Sequence, residues 1–164
     1  MTTDRIEKEV LLRAPLERVW RAISDADEFG QWFGVRFDGP FVPGTSVTGM
    51  ITPTTVDKEV AKMQEPHTGM SDTWHIVAVE PKRRLAFRWH PHGVDPDVDY
   101  SKEPTTLVEF TLHEEADGVR LRIVESGFDA IPAARRASAF EANSEGWAKQ
   151  TELVRKYLAL SEKV

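Results

Sequence analysis

The chain has 164 residues, 40% apolar and 29% charged, with aromatics spread along its length; this suits one soluble globular domain over residues 1–164 and argues against disorder. Its net charge of −6 comes without a basic block, since Arg83-Arg84 and Arg135-Arg136 are only pairs, so nucleic acid is not an expected partner. No cysteine is present to make a disulfide or a thiolate site, and no apolar leader or run of roughly 18 apolar residues appears, so a cytoplasmic protein with no membrane partner is expected.

Residues 5–13 alternate Ile6, Val10 and Leu12 against Glu7, Glu9 and Arg13, with Lys8 out of pattern, which predicts a strand with one face on a core. Pro15 then opens a helix whose apolar face is Leu16, Val19, Trp20 and Ile23. Asp25 or Asp27 can cap a second short helical segment presenting Phe29, Trp32 and Phe33, which Gly34 closes. A short strand over 35–38, the turn Val42-Pro43-Gly44-Thr45 and a strand over 45–52 follow. Residues 53–69 are polar and punctuated by Pro and Gly, but Val56, Val60 and Met63 lie four and three apart and predict a short amphipathic helix. A connection of this length is a candidate lid.

The runs 73–79 and 84–90 flank Glu80-Pro81-Lys82-Arg83 and should pair as a hairpin, although the alternation leaves open whether Trp74 or His75 faces inward. After an irregular stretch over 91–104, the runs 105–114 and 119–125 alternate cleanly across the turn at Asp117-Gly118. The chain closes with a long helix predicted over 132–160, on which Phe140, Ser144, Trp147, Thr151, Val154 and Leu158 form one stripe. Pro132 suits its first turn, and Asp129 can accept from free amides if the helix starts earlier. Gly146, in the interior beside Trp147, costs about 1 kcal/mol relative to alanine, which points either to close approach by a strand or ligand or to a merely tolerated glycine. One strand, two short helices, about six further strands and a long helix make an α+β fold on a mostly antiparallel sheet.

The usual nucleophile, zinc, phosphate and dinucleotide signatures are absent, and no cofactor is expected. His90-Pro91-His92 is followed by Asp95, Asp97 and Asp99, but a calcium loop counted from Asp95 has Tyr100 where glycine is needed and Thr106 where glutamate is needed, so no metal site is predicted. Glu125 shares strand parity with Leu121 and Ile123, which makes it a candidate inward carboxylate able to act as an acid, a base or a ligand anchor. The alternative is a strand-end glutamate bonded to nearby backbone amides.

The opening strand with Ala14-Pro15-Leu16-Glu17-Arg18-Val19-Trp20, then Trp32-Phe33, the strand with Trp74, Phe87-Arg88-Trp89 and finally Gly146-Trp147 resemble the activator of heat-shock protein 90 ATPase homologue family. That family belongs to the START-like (SRPBCC) superfamily, and the resemblance spans essentially the whole chain. It implies a helix-grip fold, in which a curved antiparallel sheet of six to seven strands wraps the C-terminal helix around a cavity. On that reading Trp32, Phe33, Trp74, Phe87, Trp89, Phe110 and Trp147 line an apolar pocket of several hundred Å3, with Glu125, His75 or His90 as polar fixing groups.

The expected partner is therefore a hydrophobic small molecule, aromatic or acyl. Whether the chain is an enzyme stays open at this point: a cyclase, dehydratase or hydrolase would use Glu125 or a cavity histidine as acid or base. A third possibility is a protein-interaction module related to the chaperone ATPase activators. The eukaryotic co-chaperones, however, pair this domain with an additional N-terminal chaperone-binding domain for which this chain has no room.

Overall fold

The computed structural model describes residues 4–91 and 99–161. Seven strands run β1 (Arg5–Leu12), β2 (Val35–Phe37), β3 (Ser46–Ile51), β4 (Ser71–Glu80), β5 (Arg84–Trp89), β6 (Thr106–Glu115) and β7 (Gly118–Ser126). They form a single antiparallel sheet in the order β1-β7-β6-β5-β4-β3-β2. Helices α1 (Leu16–Ser24) and α2 (Ala26–Phe33) follow β1, α3 (Lys58–Gln64) lies between β3 and β4, and α4 (Ala133–Ser161) closes the chain. The 29 residues of α4 pack against β1, α1 and α2, giving the long helix gripped by a curved sheet. Among the described residues no helix is long and apolar enough to cross a membrane.

The local chemistry explains these elements. Asp25 caps α2 by accepting from the amides of Asp27 and Glu28 at 2.9 and 3.0 Å, and Gly34 ends it in the left-handed region at φ 96°. Pro81 and Lys82 occupy the centre of the β4–β5 turn, where Arg83 N donates to Glu80 O at 2.9 Å and Lys82 takes φ 64°. The ambiguous face of β4 is resolved by a register shift between Ile76 and Ala78. Trp74 and Ile76 point inward and His75 outward, and beyond the bulge Val79 again packs on the core.

Two details of α4 differ from the sequence reading. Asp129 belongs to a separate 3-10 turn over Phe128–Ala130, and the helix starts after Pro132, whose carbonyl accepts from Arg135 and Arg136 at 3.0 Å each. No strand approaches Gly146: a Cβ built there meets nothing within 4 Å. Of the stripe, Trp147, Thr151, Val154 and Leu158 are buried, joined by Ala139 and Leu153. Ser144 and Phe140 are only half-buried.

The candidate lid carries α3, capped by Asp57 through the amides of Glu59 and Val60 at 2.9 and 3.1 Å. Asp57 also receives Lys156 Nζ of α4 at 2.5 Å. Gln64, the last residue of α3, accepts from Thr54 N at 2.8 Å and donates to Phe33 O at 2.9 Å. Its amide lies where a Cβ on Gly34 would stand, 2.4 Å away, so Gly34 is needed both for its positive φ and for this close approach.

Candidate functional site

Glu125 is the penultimate residue of β7 and faces inward, opposite Ile6 of β1 and Val108 of β6. It has no exposed surface. Four side chains donate to its carboxylate, which is a different arrangement from a strand-end glutamate bonded to backbone amides. Oε2 accepts from Trp89 Nε1 at 2.7 Å and Thr106 Oγ1 at 2.5 Å. Oε1 accepts from Trp147 Nε1 at 2.8 Å, and Asn143 Nδ2 spans both oxygens at 2.9 and 3.1 Å. Trp89 and Thr106 are register partners across β5 and β6, whereas Asn143 and Trp147 lie one turn apart on α4.

An indole N–H can only donate and a carboxylate can only accept, so this cluster is matched in polarity. Burial pushes the Glu125 carboxyl above its ordinary range, and the bonds from Thr106, Trp89, Trp147 and Asn143 oppose that shift without overcoming it.

Beside this cluster lies a recess of about 200 Å3. Its apolar walls include Phe33, Val35, Ile51, Trp74 and Trp89, and its polar ones Asp72, His90 and Asn143. A second recess of about 100 Å3 continues along Trp147, Gly146 and Gln150, and a third of about 220 Å3 runs under α3 past Val60, Met63 and Gln64. All three share Phe33 as a wall. The space is therefore divided, in place of the one large pocket expected, because aromatic rings fill the sheet's concave face. Trp74 stacks on Phe87 at 4.5 Å between centroids and meets Trp89 edge-on at 4.9 Å, while Phe33 contacts Trp74, Trp89 and Trp147 at 5.5 to 6.0 Å.

Of the seven aromatics expected at the site, Phe33, Trp74, Trp89 and Trp147 stand on these walls. Trp32, Phe87 and Phe110 are enclosed in the core behind them; Trp32 spends its indole N–H on Ala22 O at 2.9 Å. His75 is exposed and bonds Ser46 Oγ at 2.6 Å, away from the recess. Among the described residues no group of three or more His, Asp, Glu or Cys is placed to hold a metal. His92, Asp95 and Asp97 fall outside the described residues.

A family profile described as activator of Hsp90 ATPase homolog 1-like protein matches residues 13–159. The chain belongs to that family. No curated protein matches it. Among solved structures, DynU16, a protein of the dynemicin biosynthetic locus, is 25% identical with a TM-score of 0.66, covering 95% of this chain and 47% of DynU16. This family member thus spans about half the length of that relative. Protein MLL2253 from Mesorhizobium loti is 22% identical with a TM-score of 0.69, covering 94% and 96% of the two chains. The Aha1 dimer from Colwellia psychrerythraea is 13% identical with a TM-score of 0.65 over 96% of each. At these identities the likeness to the last two is one of fold, the START-like arrangement described above.

Three residues of the site escaped the sequence reading of this family member. Asp72 accepts from His90 twice, from its main-chain N–H at 3.0 Å and at ring Nδ1 at 2.7 Å. Strand parity puts Asp72 with Trp74, a signal that becomes usable once Trp74 is known to face inward. Asn143 stands four residues before Trp147, the helical spacing that places both on one face. Gln150 lies three residues after Trp147 and donates to Phe33 O at 3.0 Å, and its Oε1 is buried with no hydrogen-bond partner among the described residues.

Proposed function

We propose that this chain binds an apolar small molecule, aromatic or acyl, in the recess between the sheet and α4. The observation that carries the reading is the wall itself. Phe33, Trp74 and Trp89 present ring surface to an open space, with Ser71, Asp72, His90, Asn143 and the unpaired carbonyl of Gln150 as the polar groups nearby among the described residues. Apolar walls with a few fixed polar groups are the usual composition of a small-molecule site. The volume favours a ligand of one or two rings, or a short acyl chain, unless α3 moves.

The test is a thermal-shift screen of aromatic acids, phenols and short acyl compounds, with tryptophan fluorescence as the second readout because Trp74, Trp89 and Trp147 stand at the walls. A ligand at one hundred times its Kd adds about 2.7 kcal/mol, roughly 5 to 10 °C in Tm for a chain of this length. A set that leaves both Tm and fluorescence unchanged, in protein shown by mass spectrometry to carry no bound molecule, would overturn the reading.

A further inference from the structure

Among the described residues, the recess beside Phe33 has two titratable side chains on its wall, and they are bonded to each other. Asp72, on β4, holds His90, just past the end of β5, through both the main-chain N–H and ring Nδ1. The His90 side chain is 7% exposed and that of Asp72 28%, so the imidazole is the more enclosed partner. Every other described side chain on this wall is apolar or a neutral polar group. An ionised Asp72 accepts and cannot donate, so it selects the tautomer with the proton on Nδ1. Nε2 then carries the lone pair. The carboxylate also compensates a positive charge on the ring if Nε2 takes up a proton.

From this geometry we propose that Asp72 and His90 form a proton-accepting pair, and that the recess is built for an apolar weak acid, a phenol or an enolisable carbonyl compound. The proposal rests on the cleft-binding reading above and names its ligand class. In the transfer the ligand's O–H (or activated C–H) bond breaks, its electron pair stays on the ligand as phenolate or enolate, and the proton forms an Nε2–H bond on His90. No other reactant is required. Asp72 does not touch the ligand: it is a positioning residue that fixes the ring and stabilises the imidazolium.

The charged surroundings are compatible with this. Asp72 faces His90 from β4, and Asp99 carries a carboxylate that interacts electrostatically with His90. Arg135 of α4 is engaged elsewhere, with Glu103 at 2.7 Å and Pro91 O at 2.8 Å. Glu125 is fully buried behind Trp89 and Asn143 and is not on the recess wall, so the base is His90 and not the more deeply buried acid.

The test uses 4-nitrophenol, whose phenolate absorbs apart from the neutral phenol, and 4-nitroanisole, its methyl ether, which has no acidic proton. A charge-assisted hydrogen bond is worth about tenfold or more in affinity, so the wild-type chain should prefer the phenol by at least that factor. The bound probe should show the phenolate band at a pH where the free probe is mostly neutral. In His90→Gln the preference should fall to within about twofold and the band should vanish. In Asp72→Asn the phenolate fraction of the bound phenol should drop, because the ring loses the carboxylate that stabilises its imidazolium. Equal affinity of wild type for the two probes, or an undiminished phenolate band in His90→Gln, would overturn the pair as a proton acceptor while leaving cleft binding intact. If wild type bound neither probe and the broader screen were also flat, both readings would fall together. The comparison of the two probes on the unmodified chain stands even if a variant misfolds.

Discussion

Trp147 donates its indole N–H to Oε1 of Glu125 at 2.8 Å, joining the middle of α4 to the end of β7. With Trp89 and Thr106 on the sheet side and Asn143 on the helix side, one carboxylate clasps the two layers of the fold. Replacing Glu125 by Gln keeps the size but turns one acceptor oxygen into a donor. If the amide nitrogen takes the place of Oε2, Trp89 N–H faces another N–H; if it takes the place of Oε1, Trp147 does. An unpaired buried donor costs about 1 to 3 kcal/mol, and Glu125→Gln should lose that much in urea unfolding at about pH 4, below the raised pKa of Glu125, with an unchanged m-value. A neutral substitution would show that the carboxylate is not the clasp.

The same residue sets a pH dependence. Burial holds the folded pKa of Glu125 above its ordinary value of 4.5. A carboxyl with a raised folded pKa binds its proton more tightly when folded. Its stabilising contribution is therefore complete below about pH 4.5 and is lost as pH rises through the folded pKa. Wild type should lose stability relative to Glu125→Gln over that window, with a limiting slope of about 1.4 kcal/mol per pH unit. Asp57, Asp99, Glu115 and Glu152 have lowered pKa values and slope the other way, but they are common to both proteins and cancel in the difference. Urea midpoints measured across about pH 4 to 8 in the two proteins decide it: parallel curves would contradict the raised pKa.

Much of this was legible in the chain because it depends on short-range periodicity. The alternation of β6 and β7 puts Glu125 inward with Leu121 and Ile123, and the spacing of α4 puts Trp147 on its buried face. What parity cannot say is which inward ring is covered by another. Phe87 and Phe110 satisfy the same parity as Trp74 and Trp89, and Trp32 lies on the apolar face of α2, yet all three end behind the wall. Nor does local pattern reveal a partner fixed by register. Asp72 and His90 are brought together by the pairing of β4 with β5, and the bulge between Ile76 and Ala78 within that pairing is invisible in composition.

The enclosed and wall-lining aromatics should respond differently to substitution. Trp32→Phe removes a buried hydrogen bond to Ala22 and part of a ring, costing about 2 to 3 kcal/mol of stability. Its effect on ligand affinity should be under about twofold once folding is restored at low temperature. Phe33→Ala, at the wall shared by all three recesses, should change affinity by about tenfold or more. Titration of one ligand against both variants separates the roles, and equal losses would place Trp32 at the site.

Gln64 ties α3 to the carbonyl of Phe33 and the backbone of Thr54, so it is the latch of the segment covering the third recess. Gln64→Ala should lower stability by about 1 kcal/mol and speed both binding and release of a ligand, leaving Kd nearly unchanged. Stopped-flow tryptophan fluorescence would read the two rates. Unaltered rates would mean that α3 is a fixed wall and that ligand enters elsewhere.

Gly146 offers the sharpest separation between stability and function. Beyond its two chain neighbours and the helix's own backbone, no described atom lies within 4 Å of a Cβ at this position, and the residue lines two of the recesses. Alanine there meets no clash and gains helix propensity, so Gly146→Ala should stabilise the fold by about 0.5 to 1 kcal/mol. A longer side chain points the same added bulk into the recess of about 100 Å3 beside Trp147. Gly146→Leu should therefore fold normally while weakening a ligand that occupies this end of the cleft. A glycine retained at a helical cost, in front of empty space, is accounted for if that space is used. If Gly146→Leu bound every ligand as wild type does, the ligand would have to sit wholly in the recess walled by Trp74 and His90.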